Sequence, residues 1–227
     1  MPMTHERWER TNAYVNEVYG REDAHLRGLM ARAVEAGLPD IAVDAGVGRM
    51  LKVLCSMTNG GNGARLALEL GTLAGYSGIW IARGLAPGGR LITVEPEASH
   101  AAFAQRAFED AGVGDRVKIA QRFAIDVLPE LRDAHGDGAF DFVFVDAIKE
   151  EYPDYLVHLR DMVALGGLLV ADNALGSGAS WWIDDAPGSH PSRNGVDRYN
   201  RALAADERFE SFCAPIREGV SVALRVR

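Results

Sequence analysis

Apolar residues along this chain keep one rhythm up to about residue 63 and another after it. From Thr4 to Gly37 they recur at three- and four-residue steps, with Leu26, Leu29, Met30, Ala33 and Val34 on one stripe; this predicts helix. Gly20 predicts a break into two pieces, and Gly37 followed by Pro39 stops the second. Ile41-Ala42-Val43 reads as a short extended segment. Asp44 is placed to N-cap a third helix carrying Val47, Leu51, Leu54 and Cys55, and Asn59-Gly60-Gly61-Asn62-Gly63 ends it. Residues 1–63 thus read as a helical preface.

From Ala64 the order becomes strand, turn, helix, repeated. The predicted strands are Leu66–Leu70, Arg90–Glu95, Arg116–Gln121, Phe140–Val145 and Gly167–Ala171. Helices follow at Gly75–Leu85, Ser99–Ala111, Ile125–Arg132 and Tyr155–Val163. Runs of apolar residues without alternation indicate strands buried on both faces, as in a parallel sheet covered by helices. A last helix, Arg193–Ala205, precedes two closely spaced strands, Phe209–Pro215 and Val220–Val226, which form an antiparallel hairpin. The expected fold is a doubly wound α/β sheet with an antiparallel edge, residues 64–227, behind the helical preface.

The totals narrow the functional classes. A chain of 227 residues fits one large α/β domain. Its 48% hydrophobic and 25% charged residues are ordinary for a globular protein. The net charge of −8 argues against a dedicated nucleic-acid binder. Cys55 and Cys213 have no metal-type spacing, and both read as reduced core thiols. Met1–Tyr19 has no apolar core of a signal peptide, and no apolar run approaches the roughly 18 residues of a membrane span. A cytoplasmic location is expected.

In an open parallel sheet, ligands bind beyond the carboxyl ends of the strands. The first strand is followed there by Gly71, Thr72, Gly75 and Ser77, with Glu69 near its end. Glycines suit a turn that approaches a ligand closely or takes positive φ, although such turns also occur with nothing bound. Glu95 ends the second strand, where an acid can accept hydrogen bonds from two ribose hydroxyls. Asp146 follows the fourth strand and Asp172-Asn173 the fifth. These oxygen donors suit a hard cation, and the lack of histidine or thiolate disfavours zinc; Asp172-Asn173 equally suits a simple turn. Lys149, three residues past Asp146, could act as a general base where neighbouring cations disfavour its protonated form, or could be an ordinary surface lysine.

Taken together, E-L-G-T-x-x-G-Y-S, V-E-P, F-D-F-V-F-V-D-A-x-K and G-G-L-L-V-A-D-N resemble the cation-dependent O-methyltransferases, the group of catechol and caffeoyl-CoA O-methyltransferases and small bacterial homologues. The resemblance runs from about Pro39 to the C-terminus. It implies a seven-stranded, Rossmann-like methyltransferase sheet in which the last hairpin makes one strand antiparallel. It implies S-adenosylmethionine as cofactor, held by Glu69, Gly71, Thr72 and Ser77, with Glu95 on the ribose, Ala124 against the adenine and Val43 in a covering segment. Asp146, Asp172 and Asn173 match the metal ligands, Mg²⁺ being the expected ion with Mn²⁺ or Ca²⁺ as alternatives. Lys149 matches the catalytic lysine. The implied acceptor is a small aromatic molecule with adjacent hydroxyls, and a homodimer is expected.

The pattern departs in Glu95-Pro96-Glu97-Ala98, where many relatives carry an aspartate a residue or two after the acid, at Ile148, where many have a second aspartate, and at Leu73, aromatic in some. Trp181 and Trp182 could line the acceptor pocket by stacking, or serve packing or a dimer interface. A competing acceptor is a modified tRNA nucleoside, for which Arg7, Arg10, Arg21, Arg27 and Arg32 are clustered in the preface. A dehydrogenase would need G-x-G-x-x-G, not the G-x-x-x-G found here. A noncatalytic protein on the same fold would have no need of Lys149 with all three metal-matching residues.

Overall fold

The computed structural model describes residues 4–177, 180–181 and 190–227, the side chains of 177, 180 and 181 excepted. Three helices come first: α1 (His5–Tyr19), α2 (Ala24–Glu35) and α3 (Ala45–Gly61). Asp44 caps α3 as its sequence position predicts, accepting from the Val47 amide at 2.9 Å. Asn16 of α1 clamps that same cap, donating to Asp44 at 3.0 Å and accepting from the Gly46 amide at 2.8 Å. This polar clamp matters because α1 has no buried residue of its own.

The core then runs β1 (Ala64–Leu70), α4 (Tyr76–Ala82), β2 (Leu85–Val94), α5 (Ala98–Asp110), β3 (Val117–Ala120), α6 (Ala124–His135), β4 (Phe140–Val145), α7 (Tyr152–Met162) and β5 (Val163–Ala171). After β5 come the two-residue strands β6 (Gly176–Ser177) and β7 (Ser180–Trp181), then α8 (Pro191–Ala205), β8 (Phe209–Ala214) and β9 (Val220–Arg225). Seven strands form one sheet in the order β3-β2-β1-β4-β5-β9-β8. The first five are parallel; β9 is antiparallel to both β5 and β8. This is the Rossmann-like sheet with one reversed strand that the resemblance implies.

Side chains alternate across the sheet, giving two cores. Phe142, Phe144, Leu168 and Val170 face α3 and α4 in one. Leu68, Leu70, Val143, Val145 and Leu169 face α6, α7 and α8 in the other. Both faces are covered, which is why the strands read as unbroken apolar runs.

Several boundaries shift. β2 begins at Leu85, five residues early, because Pro87-Gly88-Gly89 sits in a bulge between the pairs Ala64↔Leu85 and Leu66↔Arg90. β5 likewise starts at Val163, with Gly166 and Gly167 in a bulge opposite β4. Glycine-rich stretches signal a turn and a bulge equally. α4 stops at Ala82 rather than reaching Leu85. Cys55 is buried as expected, but Cys213 is exposed and is not a core thiol. It lies on β8, the edge strand, where Glu210, Ser211 and Phe212 are exposed too. Among the described residues no helix is long and apolar enough to cross a membrane.

Candidate active site

The register of the sheet builds the site. Leu70 pairs with Val94 on one side and Val145 on the other, Val94 with Ala120, and Val145 with Ala171. The parallel strands therefore end level. The next residue of each is still held by its neighbour: Gly71 N–H donates to Val94 (3.0 Å), Glu95 to Ala120 (3.1 Å), Asp146 to Leu70 (2.9 Å) and Asp172 to Val145 (3.0 Å). Residues far apart in sequence thus stand on one rim.

A cavity of about 610 Å³ opens on this rim, within the usual size for a small-molecule site. Val43, Gly71, Thr72, Ser77, Glu95, Ala124, Asp146, Lys149 and Asn173 all line it. Glu69 and Asp172 stand just behind the wall, with 0% and 1% of their surface exposed.

On the first wall the chain turns from β1 into α4 through Gly71 at φ 95° and Gly75 at φ 83°. A Cβ on Gly71 would overlap the Asp146 carbonyl oxygen, so only glycine lets this turn lie against the fourth-strand loop. Leu73 also takes positive φ, at 50°, and its amide donates to Glu95 at 2.8 Å. Glu95 accepts as well from the Glu97 amide at 3.0 Å and lies 3.5 Å from His100. Beneath the turn, Thr93 donates to Glu69 at 2.6 Å and shares a 2.5 Å hydrogen bond with Thr72. The other Glu69 carboxylate oxygen has no hydrogen-bond partner. Burial pushes this carboxyl up to about 7, against the pull of the Ser77 and Thr93 hydroxyls.

The opposite wall carries the other acids. Lys149 sits on a 3₁₀ turn, Lys149–Glu151, before α7. Its Nζ lies 2.5 Å from Asp146 Oδ1 and 5.3 Å from the centre of the Tyr152 ring. α8 packs on this turn so closely that a Cβ on Gly195 would overlap the Lys149 carbonyl; Ser192 also donates to Glu150 at 2.6 Å. Asn173 takes φ 58°. Its loop is tied to the β8–β9 connection by the Ala174 and Leu175 amides, which donate to Gly219 and Glu218 at 2.9 and 2.8 Å. Arg217, in that connection, approaches Asp172 Oδ2 at 3.3 Å. Asp172 Oδ1 is buried with no hydrogen-bond partner. Burial, then the Asp146 charge, push the Asp172 carboxyl up; Arg217 and Lys149 only partly offset this.

An oxygen left bare in the interior is costly unless something is to fill it. The donor types suit a hard divalent cation: two carboxylates and one amide carbonyl. No group of three or more His, Cys, Asp or Glu among the described residues could hold a metal, so such a site depends on the Asn173 amide. Arg217, Glu218, His100 and Tyr155 also line the cavity and were not singled out from sequence. Trp182 and the side chain of Trp181 lie outside the described residues.

A family model described as O-methyltransferase matches residues 16–226. The chain belongs to the O-methyltransferase family. It is 38% identical to a catechol O-methyltransferase of Niastella koreensis over 209 residues, covering 92% of this chain and 91% of that one. Among solved structures, an O-methyltransferase of Bacillus cereus in complex with SAH superposes with a TM-score of 0.85 at 30% identity, covering 97% of this chain and 99% of that one. The O-methyltransferase TomG of Streptomyces achromogenes, involved in tomaymycin synthesis and solved with SAM, gives 0.84 at 34% identity over the full length of both. The glycine turn and the Asp146–Lys149 loop of this O-methyltransferase form two facing walls of the cavity.

Proposed function

We propose that this O-methyltransferase uses S-adenosylmethionine and a divalent cation, Mg²⁺ first, to methylate one hydroxyl of a small catechol-like molecule. One observation carries the reading: a single cavity places the Gly71–Ser77 turn opposite Asp146, Lys149 and Asn173, with the bare oxygen of Asp172 behind them. The names of the catechol O-methyltransferase relative and of the SAH- and SAM-bound neighbours support it.

In this reading Gly71, Thr72 and Ser77 cradle the methionine portion, and Glu69 fixes the turn from below through Thr93. Glu95 accepts from the ribose hydroxyls. Its oxygens are already oriented by the Leu73 and Glu97 amides, so little reorganisation is needed on binding. Ala124 flanks the adenine and Val43 closes over the cofactor. Asp146, Asp172 and Asn173 hold the cation. When bound, the cation supplies Lewis acidity that eases loss of a proton from an acceptor hydroxyl, and the cofactor supplies the methyl group. Lys149 Nζ, in its unprotonated amine form, would accept that proton and become the ammonium paired with Asp146. The two walls would hold the acceptor hydroxyl facing the cofactor seat at Gly71–Ser77, where the bound cofactor would supply the methyl group; most of the acceleration would come from this positioning.

The arginines behind the tRNA alternative are partly engaged. Arg10 pairs with Glu6 at 2.7 Å, while Arg27 and Arg32 donate to the Glu22 and His25 carbonyls at 2.9 and 3.1 Å. A homodimer is proposed through the preface, where Tyr14 and Tyr19 of α1 stand exposed. The discriminating experiment is transfer of labelled methyl to catechol, phenol and bulk tRNA in parallel. Transfer to catechol alone is expected; transfer to tRNA with none to catechol would replace this reading.

A further inference from the structure

Arg217 occupies an unusual place. It sits in the β8–β9 connection at φ 51°, a backbone conformation that glycine takes freely and side-chain-bearing residues rarely do. The backbone is held there from both sides. The Arg217 amide donates to Asn12 of α1 at 3.2 Å, and the Gly219 amide closes the turn on Ile216 at 2.8 Å. This fixed position delivers the guanidinium to two carboxylates at once. Nη1 lies 3.3 Å from Asp172 Oδ2, and Nε lies 2.8 Å from Glu218 Oε2. Asp172 is almost fully buried, whereas the Arg217 side chain is 24% exposed at the cavity wall.

We propose that Arg217 is a tethered counter-cation which competes with the divalent ion for Asp172 and so sets how tightly the enzyme holds it. The proposal rests on the cation site assigned above. In the ion-free protein the guanidinium offsets part of the charge that Asp146 and Asp172 would otherwise bury together. Arg217 lies on Oδ2 and leaves Oδ1 bare, so the ion and the guanidinium meet across one carboxylate. Their repulsion drives Arg217 towards Glu218, whose Oε2 lies 2.8 Å from Nε and has no hydrogen-bond partner. Arg217 is thus a positioning residue acting through Asp172, not a group that touches the reacting atoms. Each molecule in which the guanidinium sits on Asp172 is a molecule whose ion site is opposed by a neighbouring positive charge. A tenfold lower ion affinity corresponds to about 1.4 kcal/mol of this repulsion.

The test is direct binding of Mn²⁺ to the full chain, read from the paramagnetic resonance of the free ion, with no turnover involved. Arg217→Gly suits the positive φ and should leave the fold intact; unchanged S-adenosylhomocysteine affinity verifies this. It is expected to tighten Mn²⁺ by about tenfold. Glu218→Gln removes the position of retreat and is expected to weaken Mn²⁺ binding. Asp172→Asn should abolish it. If Asp172→Asn abolishes binding but Arg217→Gly leaves it unchanged or weaker, the competition is overturned while the cation site stands. An unchanged or tighter Glu218→Gln overturns the withdrawal. No Mn²⁺ binding to either wild type or Arg217→Gly overturns the cation site and the competition with it.

Discussion

Asp141 and Asp172 are both buried acids of the same sheet, at opposite ends of it, and they are treated in opposite ways. Asp141, near the start of β4, is 3% exposed. It accepts from the Arg65 and Leu66 amides at 2.7 and 3.4 Å and pairs with the Arg65 guanidinium at 3.3 Å. Burial alone would raise its carboxyl, but these donors hold it below the usual range. Asp172, just past β5, has one long contact to Arg217 and one bare oxygen, and its carboxyl is raised. Glu69, at the same carboxyl end, shares both features. The structural end of the sheet satisfies its acid within the chain; the cavity end leaves two of its acids, Asp172 and Glu69, with one unpartnered oxygen each, as a binding site can before its ligand arrives.

The comparison can be broken at either end. The largest effect is expected at the cavity: Lys149→Ala should lower kcat by about a thousandfold, within the range for a lost general base, with little change in cofactor affinity. A near-normal kcat would remove Lys149 from the reaction. Asp172→Asn should lower kcat/KM by roughly a hundredfold or more while thermal stability holds or rises, because a poorly compensated buried charge is gone. A loss of stability there would mean Asp172 is structural, like Asp141.

Glu69 sharpens the contrast through pH. A carboxyl raised from 4.5 to about 7 in the folded protein contributes stability that is fully present below about pH 4.5. That contribution is lost as pH rises through about 7, and amounts to on the order of 3 kcal/mol. Glu69→Gln stays neutral throughout, so urea unfolding of the variant should lack that decline. A parallel pH profile in wild type and variant would show that Glu69 ionises freely. Asp141→Ala should do the reverse of Asp172→Asn, costing about 2 kcal/mol by stranding the Arg65 and Leu66 amides while kcat stays within a few-fold. A catalytic defect without a stability defect would break the division between the two ends.

Much of this was legible in the sequence because periodicity and strand-end chemistry are local signals. Phe140–Val145 and the Asp44 cap came out as read, and so did the reversed last hairpin. Aligning strand ends then brought Gly71, Glu95, Asp146 and Asn173 to one cavity, although no two of these motifs are adjacent in sequence. The bulges of β2 and β5 were not legible, since glycine runs do not say whether pairing continues across them. Nor was the exposure of Cys213, because edge position depends on topology. Arg217 was hidden for a different reason. Its partner Asp172 lies 45 residues away, and the positive φ that aims it appears only once the turn is built. Asp141 interrupts an apolar strand in sequence, and its role shows only where the Arg65 amide lies 2.7 Å away, 76 residues earlier in the chain.

The cavity's acids serve either a cation or the fold and the cofactor, and chelation separates these roles. Titrating S-adenosylmethionine into the protein by calorimetry, with and without excess chelator, and measuring methyl transfer to catechol in the same two samples, asks this directly. Cofactor binding is expected to survive chelation in large part, while transfer is lost and returns on addition of Mg²⁺. Equal transfer in both samples would contradict the account.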